Sequence, residues 1–312
     1  MNGFQKFVMA SRVYSLPASV FPTILGIVLF AFIHNQMPDW LLTALSVVGV
    51  ISIHISCNLI NDIYDYKTGI DTPSEENQFE GGGSKVLAKE LVSMKTMIRW
   101  AWVTGLVAIA LAVPIVLMSS PWILVPVAYG LLATVYYTAQ PIAFKYMALG
   151  DVIVITSMGM LTTIGAYMVM YFHLTPTADF AWEVIFYAVP IGMLVGSLLH
   201  LNNIKDTIVD SKYGIKTLPI LFGKTFSKVL YVLYTVIPFL IAYVLVAKNM
   251  TGELNWLLLV PAVLMLLPLG SAIKLNKKVF ANNLGDKDLE TNGQLIALFG
   301  LIYTLIFVFA AI

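Results

Sequence analysis

Long apolar runs separated by short polar segments make up most of the chain. Nine such runs lie near residues 16–34, 41–60, 98–119, 121–138, 149–172, 182–200, 228–247, 254–274 and 292–312. A helix needs about 20 mostly apolar residues to cross the hydrocarbon core of a bilayer. The pattern therefore predicts an all-α, polytopic membrane protein with nine transmembrane helices. The third and fourth runs are separated only by Ser119, Ser120 and Pro121, which favours a tight helical hairpin there.

The composition supports the same class of protein. Hydrophobic residues make up 59% of the 312 residues and charged residues only 11%, whereas a soluble domain carries about 25% charged residues. This excludes an ordinary soluble enzyme, a disordered protein and a nucleic-acid binder, so the partners we expect are the lipid bilayer and small molecules. We predict that residues 1–312 form a single membrane-embedded domain.

Basic residues lie almost entirely on one side of the predicted membrane. Of the 18 Lys and Arg residues, all but Lys248 fall in the N-terminal segment or in the loops between helices 2 and 3, 4 and 5, 6 and 7, and 8 and 9. Cytoplasmic loops of membrane proteins carry an excess of Lys and Arg. We therefore expect the N-terminus and these loops to be cytoplasmic. Most acidic residues lie on the same face, which the bias in Lys and Arg does not by itself require.

One segment of the chain occurs twice. Asn58–Thr72 matches Asn203–Thr217 without gaps at an offset of 145 residues, and seven of the fifteen positions are identical. The identical pairs are Asn58/Asn203, Ile63/Ile208, Asp65/Asp210, Lys67/Lys212, Gly69/Gly214, Ile70/Ile215 and Thr72/Thr217. The offset spans four predicted helices, an even number, so both copies have the same orientation in the membrane. This indicates two parallel four-helix repeats, about 1–140 and 141–275, followed by a ninth helix.

Each copy carries a stripe of carboxylate and amide side chains on one helix face, at spacings of three and four residues. The first stripe consists of Asn58, Asn61, Asp62 and Asp65, and Asp71 follows it. The second stripe consists of Asn202, Asp206 and Asp210, with Asn203 beside it. Crowded carboxylates near lipid repel one another unless cations bind. Mg²⁺ prefers a few carboxylates, several waters and phosphate oxygens, so we predict that the two stripes face each other and bind Mg²⁺ with a phosphate ligand.

These motifs resemble those of a known family. Asn61–Asp65 with Asp71 is similar to the NDxxD motif of UbiA-type intramembrane aromatic prenyltransferases, and Asp206–Asp210 is similar to their second motif, DxxxD. Three further segments resemble the branch that prenylates 1,4-dihydroxy-2-naphthoate in menaquinone biosynthesis. They are Arg12–Gly26, Gly82–Leu87 and Asn202–Leu218, and they depart from that branch at Val13, Ser211 and Lys216.

The resemblance implies that Mg²⁺ and the aspartates bind a polyprenyl diphosphate, whose allylic cation attacks an aromatic acceptor. The catalytic residues that it implies are Asp62, Asp65, Asp206 and Asp210, which also bind Mg²⁺, together with Lys145 and Tyr137. The substrate-binding residues that it implies are Arg12, Asn58, Asn61, Lys67, Asp71, Lys85, Asn202, Asn203, Lys212 and Lys216. The branch also implies a bacterial cell membrane.

Several interpretations stay open at this point. Arg12 either holds an acceptor carboxylate or anchors the first helix at lipid headgroups, and Tyr137 with Lys145 either approaches the reacting centre or marks a helix end at the interface. For His54 and His200 we expect hydrogen-bonded packing roles. The acceptor is alternatively 4-hydroxybenzoate, homogentisate, haem or a glycerol phosphate. A cation-coupled transporter is disfavoured, since its charges should lie near helix centres.

Overall fold

The computed structural model describes residues 1–69, 83–137, 141–250 and 256–311, and of residues 145 and 146 only the backbone. All regular structure within these ranges is helical. The α-helices are α1 (Gly3–Ala10), α2 (Pro17–His34), α3 (Trp40–Lys67), α4 (Met94–Met118), α5 (Leu124–Tyr136), α6 (Gly150–Val154), α7 (Thr162–Leu174), α8 (Glu183–Lys205), α9 (Thr207–Lys212), α10 (Leu218–Asn249), α11 (Leu259–Leu264), α12 (Leu266–Phe280) and α13 (Asp286–Ala310). A π-helical segment, Ile155–Leu161, joins α6 to α7.

Eight segments of the described chain are helical, long and apolar enough to cross a membrane. They are Val13–His34, Trp40–Lys67, Met94–Met118, Gly150–Leu174, Glu183–Lys205, Leu218–Asn249, Trp256–Phe280 and Asp286–Ala310. The fourth predicted run forms a shorter apolar helix, Pro121–Tyr136, directly after the expected hairpin. The prediction of an all-α, polytopic membrane fold is therefore confirmed, with a fourth helix that is shorter than its apolar run suggested.

Both motif copies end in the same backbone conformation. Helix α3 continues to Lys67, so the whole first stripe lies within one helix. Gly69 follows with φ of +83°, and its counterpart Gly214 has φ of +69°. Glycine adopts this left-handed region without the clash that a Cβ atom causes. The shared turn explains the glycine in both copies, while the larger prediction of two four-helix repeats stays a prediction.

The second stripe differs from the continuous helix that its spacing predicted. Helix α8 ends at Lys205, and the new helix α9 begins at Thr207. Asp206, between them, has φ of −90° and ψ of 7°. The amide N–H of Asp210 still donates to the carbonyl oxygen of Asp206 at 2.8 Å. The chain therefore bends at Asp206, and Asp210 leaves the straight line of the helix that carries Asn202 and Asn203.

Close backbone contacts fix the helices around the second motif. Helix α2 packs against α7 and α13, and α8 packs against the π-helical segment. A Cβ atom added at Gly26 would overlap the carbonyl oxygen of Thr163, and one added at Gly159 would overlap the Cα atom of Gly192. Small residues allow transmembrane helices to approach this closely. The position of α8, and with it the second motif, depends on these glycines.

Candidate active site

One cavity of about 750 Å³ brings the two motifs together. The motif residues that line it are Asn58, Asn61, Asp65, Asn202, Asn203, Asp206 and Asp210. Arg12 and Tyr137 also line the cavity. The two stripes therefore border one shared cavity, together with Arg12 and Tyr137. In total, nine of the predicted catalytic and substrate-binding residues line it.

The rest of the cavity is apolar. Its lining on α3 runs from Ser46 to Asp65, about 28 Å along a helix that rises 1.5 Å per residue. Ile109, Val113 and Leu117 of α4 line it with exposed apolar side chains. The cavity thus has an acidic polar end at the motifs and an apolar body within the spanning region. This shape suits an amphipathic molecule with a charged head and a hydrocarbon tail.

The carboxylates of the motifs have different surroundings. Asp65, Asp206 and Asp210 are buried and line the cavity, and the ammonium of Lys205 lies 3.5 Å from a carboxylate oxygen of Asp206. Asp62 is also buried, but it is not among the residues that line the cavity. Its carboxylate accepts hydrogen bonds from the Arg12 guanidinium, the Ser84 hydroxyl and, at 3.1 Å, the Ser84 amide N–H. A role for Asp62 as a Mg²⁺ ligand stays a prediction.

Oxygen atoms dominate the polar end of the cavity, as a Mg²⁺ site requires. Among the described residues, no group of three or more His, Cys, Asp or Glu side chains is close enough to hold a metal ion unaided. The buried amide oxygen of Asn61 has no hydrogen-bond partner among the residues that the structure describes. Mg²⁺ is usually held by one or two carboxylates, waters and substrate phosphates rather than by a cage of protein ligands. The donor set fits Mg²⁺ bound together with a phosphate ligand.

Two equivalent asparagines line the cavity and use their NH₂ groups in the same way. The Asn58 amide group donates to the carbonyl oxygen of Ser11 and to the hydroxyl of Ser15, both at 3.1 Å. The Asn203 amide group donates to the carboxylate of Asp151 at 3.0 Å. In each case the NH₂ group is bound by the protein scaffold, which leaves the amide oxygen for the cavity.

Arg12 lies inside the protein rather than at its periphery. It occupies the turn between α1 and α2 with φ of +49°, a left-handed conformation that is uncommon for a residue with a side chain. The side chain is 13% exposed, borders the cavity and donates to Asp62. Its buried Nε has no hydrogen-bond partner among the described residues. This placement favours binding of an anionic group in the cavity over anchoring at lipid headgroups.

Most of the predicted lysines lie outside the cavity. Lys67, Lys212 and Lys216 are exposed, and none of them borders the cavity. The ammonium of Lys85 lies 3.8 Å from the carboxylate of Asp286, to which Lys205 also donates at 2.7 Å. Their predicted roles in substrate binding stay predictions. Asp71 and the side chain of Lys145 lie outside the described residues.

The two intramembrane histidines are hydrogen-bonded, as expected. The Nδ1 atom of His54 lies 2.8 Å from the Ser19 hydroxyl. The Nδ1 atom of His200 lies 2.5 Å from a carboxylate oxygen of Asp151, and its Nε2 lies 3.0 Å from the carbonyl oxygen of Ser227. Asp151 follows the segment of Tyr137 and Lys145 in the sequence but was not among the predicted site residues. The feature that could have identified Asp151 is its place at the start of an apolar run, since acidic residues within membrane-spanning segments are rare and usually functional.

Comparisons with known proteins identify the family. A sequence model of the UbiA prenyltransferase family matches residues 19–283. This match covers most of the chain, and the chain belongs to the UbiA prenyltransferase family. It is therefore a multi-pass membrane enzyme, a prenyltransferase, as the motifs predicted.

Two relatives with sequence similarity come from animals. The chain is 30% identical to UbiA prenyltransferase domain-containing protein 1 of Gallus gallus over 82% of this chain and 73% of that protein. It is 30% identical to the protein of the same name from Homo sapiens over 77% of this chain and 67% of that protein. These names specify neither an acceptor nor the menaquinone branch. The branch assignment and the expected bacterial membrane receive no support from them.

Solved structures show the same fold at low sequence identity. An apo UbiA homologue from Aeropyrum pernix K1 matches with a TM-score of 0.66 and 14% identity over 97% of this chain and 98% of that chain. A UbiA homologue from Archaeoglobus fulgidus, bound to GPP and Mg²⁺, matches with a TM-score of 0.61 and 15% identity over 98% of both chains. The all-helical fold extends over essentially the whole chain.

Proposed function

We propose that the protein transfers a polyprenyl group from a polyprenyl diphosphate to an aromatic acceptor, 1,4-dihydroxy-2-naphthoate, in a Mg²⁺-dependent reaction. The observation that carries this proposal is the single cavity, which joins both aspartate motifs at its polar end to an apolar body along α3 and α4. A polyprenyl diphosphate has the same division into an anionic head and a hydrocarbon tail. The structure of the Archaeoglobus fulgidus homologue with GPP and Mg²⁺ supports this donor class.

The carboxylates at the polar end would bind the donor head. Asp65, Asp206 and Asp210 border the cavity from both motifs, and they would hold Mg²⁺ against the diphosphate, with Asp62 as a further predicted ligand. Bound Mg²⁺ would act as a Lewis acid and neutralise charge on the diphosphate as it leaves. Lys205, beside Asp206, would stabilise the same developing charge. The apolar walls hold the chain and exclude water from the carbocation.

Arg12 would bind the carboxylate of the acceptor. Arg12 borders the cavity, and its bond to Asp62 uses one of the several N–H donors of a guanidinium. Donors therefore remain for an anionic ligand. Tyr137 also lines the cavity, and its ring packs beside Gly150 at the start of α6. The naphthoate acceptor itself rests on the resemblance of Arg12–Gly26 and of the Gly-Gly-Ser loop to that branch. The predicted cytoplasmic orientation of the motif loops rests on the distribution of Lys and Arg.

A competition assay tests the proposed reaction. Purified protein, Mg²⁺ and one polyprenyl diphosphate are incubated with 1,4-dihydroxy-2-naphthoate and 4-hydroxybenzoate together, and the products are identified by mass spectrometry. We expect prenylated naphthoate as the main product and none after Mg²⁺ is chelated. Prenylated 4-hydroxybenzoate as the main product would refute the acceptor and leave the donor class intact. Absence of diphosphate release with any aromatic acceptor would refute the proposed reaction.

A further inference from the structure

A buried ionisable pair lies directly behind the second motif. Asp151, at the start of α6, is 1% exposed, and His200 of α8 is fully buried. Neither residue lines the cavity. One carboxylate oxygen of Asp151 lies 2.5 Å from Nδ1 of His200, and the other accepts from the Asn203 amide at 3.0 Å. The pair therefore contacts a cavity residue without reaching the cavity itself.

The hydrogen bonds fix which face of the Asn203 amide meets Asp151. The carbonyl oxygen of Ser227, 3.0 Å from Nε2 of His200, can only accept, so Nε2 carries a proton. The close contact between Nδ1 and Asp151 then shares one further proton. The second carboxylate oxygen of Asp151 is an acceptor wherever that proton lies. It therefore selects the NH₂ group of Asn203, and the amide oxygen of Asn203 must point away from Asp151.

The first motif shows the same arrangement built from other groups. Asn58, which corresponds to Asn203 in the repeat, donates its NH₂ group to the carbonyl oxygen of Ser11 and to Ser15. A backbone carbonyl also accepts only, so it fixes the orientation of this amide in the same way. Neither asparagine oxygen has a hydrogen-bond partner within the described chain, and both residues line the cavity. Two unrelated scaffolds thus produce one outcome, a cavity-lining asparagine whose NH₂ group is bonded to the protein behind it.

We infer that Asp151 and His200 are positioning residues that hold the amide oxygen of Asn203 toward the Mg²⁺–diphosphate end of the cavity. This inference rests on the proposed function. An amide oxygen can bind Mg²⁺ directly or accept a hydrogen bond from a water bound to Mg²⁺. An inverted amide would instead present NH₂ hydrogens to the cation. Outer partners that orient ligands in this way typically contribute about 10–100-fold to metal affinity or activity.

The alternative is that the pair only joins α6 to α8. The two roles differ in what a double substitution does. If Asp151 acts through Asn203, then Asp151→Ala has no effect on donor binding once Asn203→Ala has removed the amide. If the pair only supports packing, the two losses are independent and multiply.

The test measures binding of geranyl diphosphate with Mg²⁺ to the purified full-length protein by calorimetry, alongside KM and kcat. We expect Asp151→Ala to raise Kd and the donor KM by about tenfold or more, and to add less than about twofold in the Asn203→Ala background. Asp151→Asn should keep most of the affinity, because its amide oxygen can accept from Asn203 while its NH₂ donates to His200. Asp288→Ala is the matched control, since Asp288 is a buried carboxylate bonded to Lys278 and does not border the cavity.

Each result decides the inference. Equal binding by Asp151→Ala and the unsubstituted protein would overturn it, as would multiplied losses in the double variant. Asp151→Asn as weak as Asp151→Ala would also overturn it, and this variant preserves shape if Asp151→Ala does not fold. Failure of the unsubstituted protein to bind geranyl diphosphate would refute the proposed donor and the inference with it.

Discussion

The two motif-bearing regions present the same atoms to the cavity but hold them with different chemistry. Around α3, three supporting groups come from the N-terminal segment: the Ser11 carbonyl, the Ser15 hydroxyl and the Arg12 guanidinium. The fourth is Ser84. Around α8, the support is a buried carboxylate and imidazole, Asp151 and His200. The internal repeat thus preserves the residue types that line the cavity and not those that lie behind them.

The backbones of the two regions also pack differently. Behind the second motif, the π-helical segment and α8 approach each other at Gly159 and Gly192 with no room for a Cβ atom. In the first region, a Cβ added at Gly105 of α4 would lie 3.2 Å from the hydroxyl oxygen of Ser56 on α3 and would meet no backbone atom of that helix within 4 Å. The contact of α8 with the π-helical segment is therefore a direct backbone contact, whereas the contact of α3 with α4 at Gly105 involves a side chain.

The largest expected effect falls on both regions equally. Asp65→Asn and Asp210→Asn each remove a charge from the cavity wall, and we expect turnover to fall about a hundredfold or more, since a metal contributes several kcal/mol and each 1.4 kcal/mol is tenfold. Diphosphate release at saturating Mg²⁺ measures this, with circular dichroism to verify folding. Asp288→Asn serves as the control. Full activity of either cavity variant would show that the two motifs do not act together.

A packing experiment separates the two regions. Gly159→Ala forces a methyl group against the Cα atom of Gly192, and overpacking of this kind costs about 1–3 kcal/mol. Gly105→Ala, the matched variant, places its methyl group 3.2 Å from the Ser56 hydroxyl, which donates to the Ala101 carbonyl. This contact needs a shift of only a few tenths of an ångström, so its cost should be smaller. Thermal unfolding of both variants in the same detergent measures the difference. Equal unfolding temperatures would mean that the second region is as adaptable as the first.

The sequence predicted the membrane fold because apolar runs and helix length are local properties. It also predicted that most Asn and Asp side chains of the two stripes line one cavity, because two copies with one orientation end at the same side of the bundle, although Asp62 does not border it. The break at Asp206 was not predictable from the same spacing, since spacing arithmetic assumes a continuous helix. Here the backbone torsions of one residue redirect Asp210.

The supporting contacts depend on pairings across long stretches of chain. Arg12 meets Asp62 fifty positions later, and Asp151 meets His200 forty-nine positions later. Nothing in the local pattern at either partner specifies the other. A lone Asp at the head of an apolar run indicated only that a buried carboxylate needs a partner. Its actual partner depends on how α6 and α8 pack together, which is a property of the whole bundle.

A smaller effect tests the side chain that supports the first motif. Arg12→Lys keeps the charge beside Asp62 but loses the planar fork that binds a carboxylate through two hydrogen bonds. We expect the KM for the aromatic acceptor to rise about tenfold, the loss of roughly one charge-assisted hydrogen bond. The KM for the diphosphate donor should change little, which separates this effect from a general distortion of the site. A change in the donor KM alone would place Arg12 at the diphosphate instead.

The smallest expected effect concerns the ion pairs that link the two regions. Asp286, at the start of α13, accepts from Lys205 of the second region at 2.7 Å and lies 3.8 Å from Lys85 of the first. Its side chain is 73% exposed, and exposed ion pairs contribute about 0.2–1 kcal/mol. Because Asp286 draws positive charge away from the acidic end, Asp286→Asn should lower the donor KM by less than about threefold at low salt. Raising the ionic strength should abolish the difference, since salt screens exposed charges. A higher donor KM would show instead that Asp286 holds the two lysines in position for the diphosphate, so that the two regions depend on it jointly.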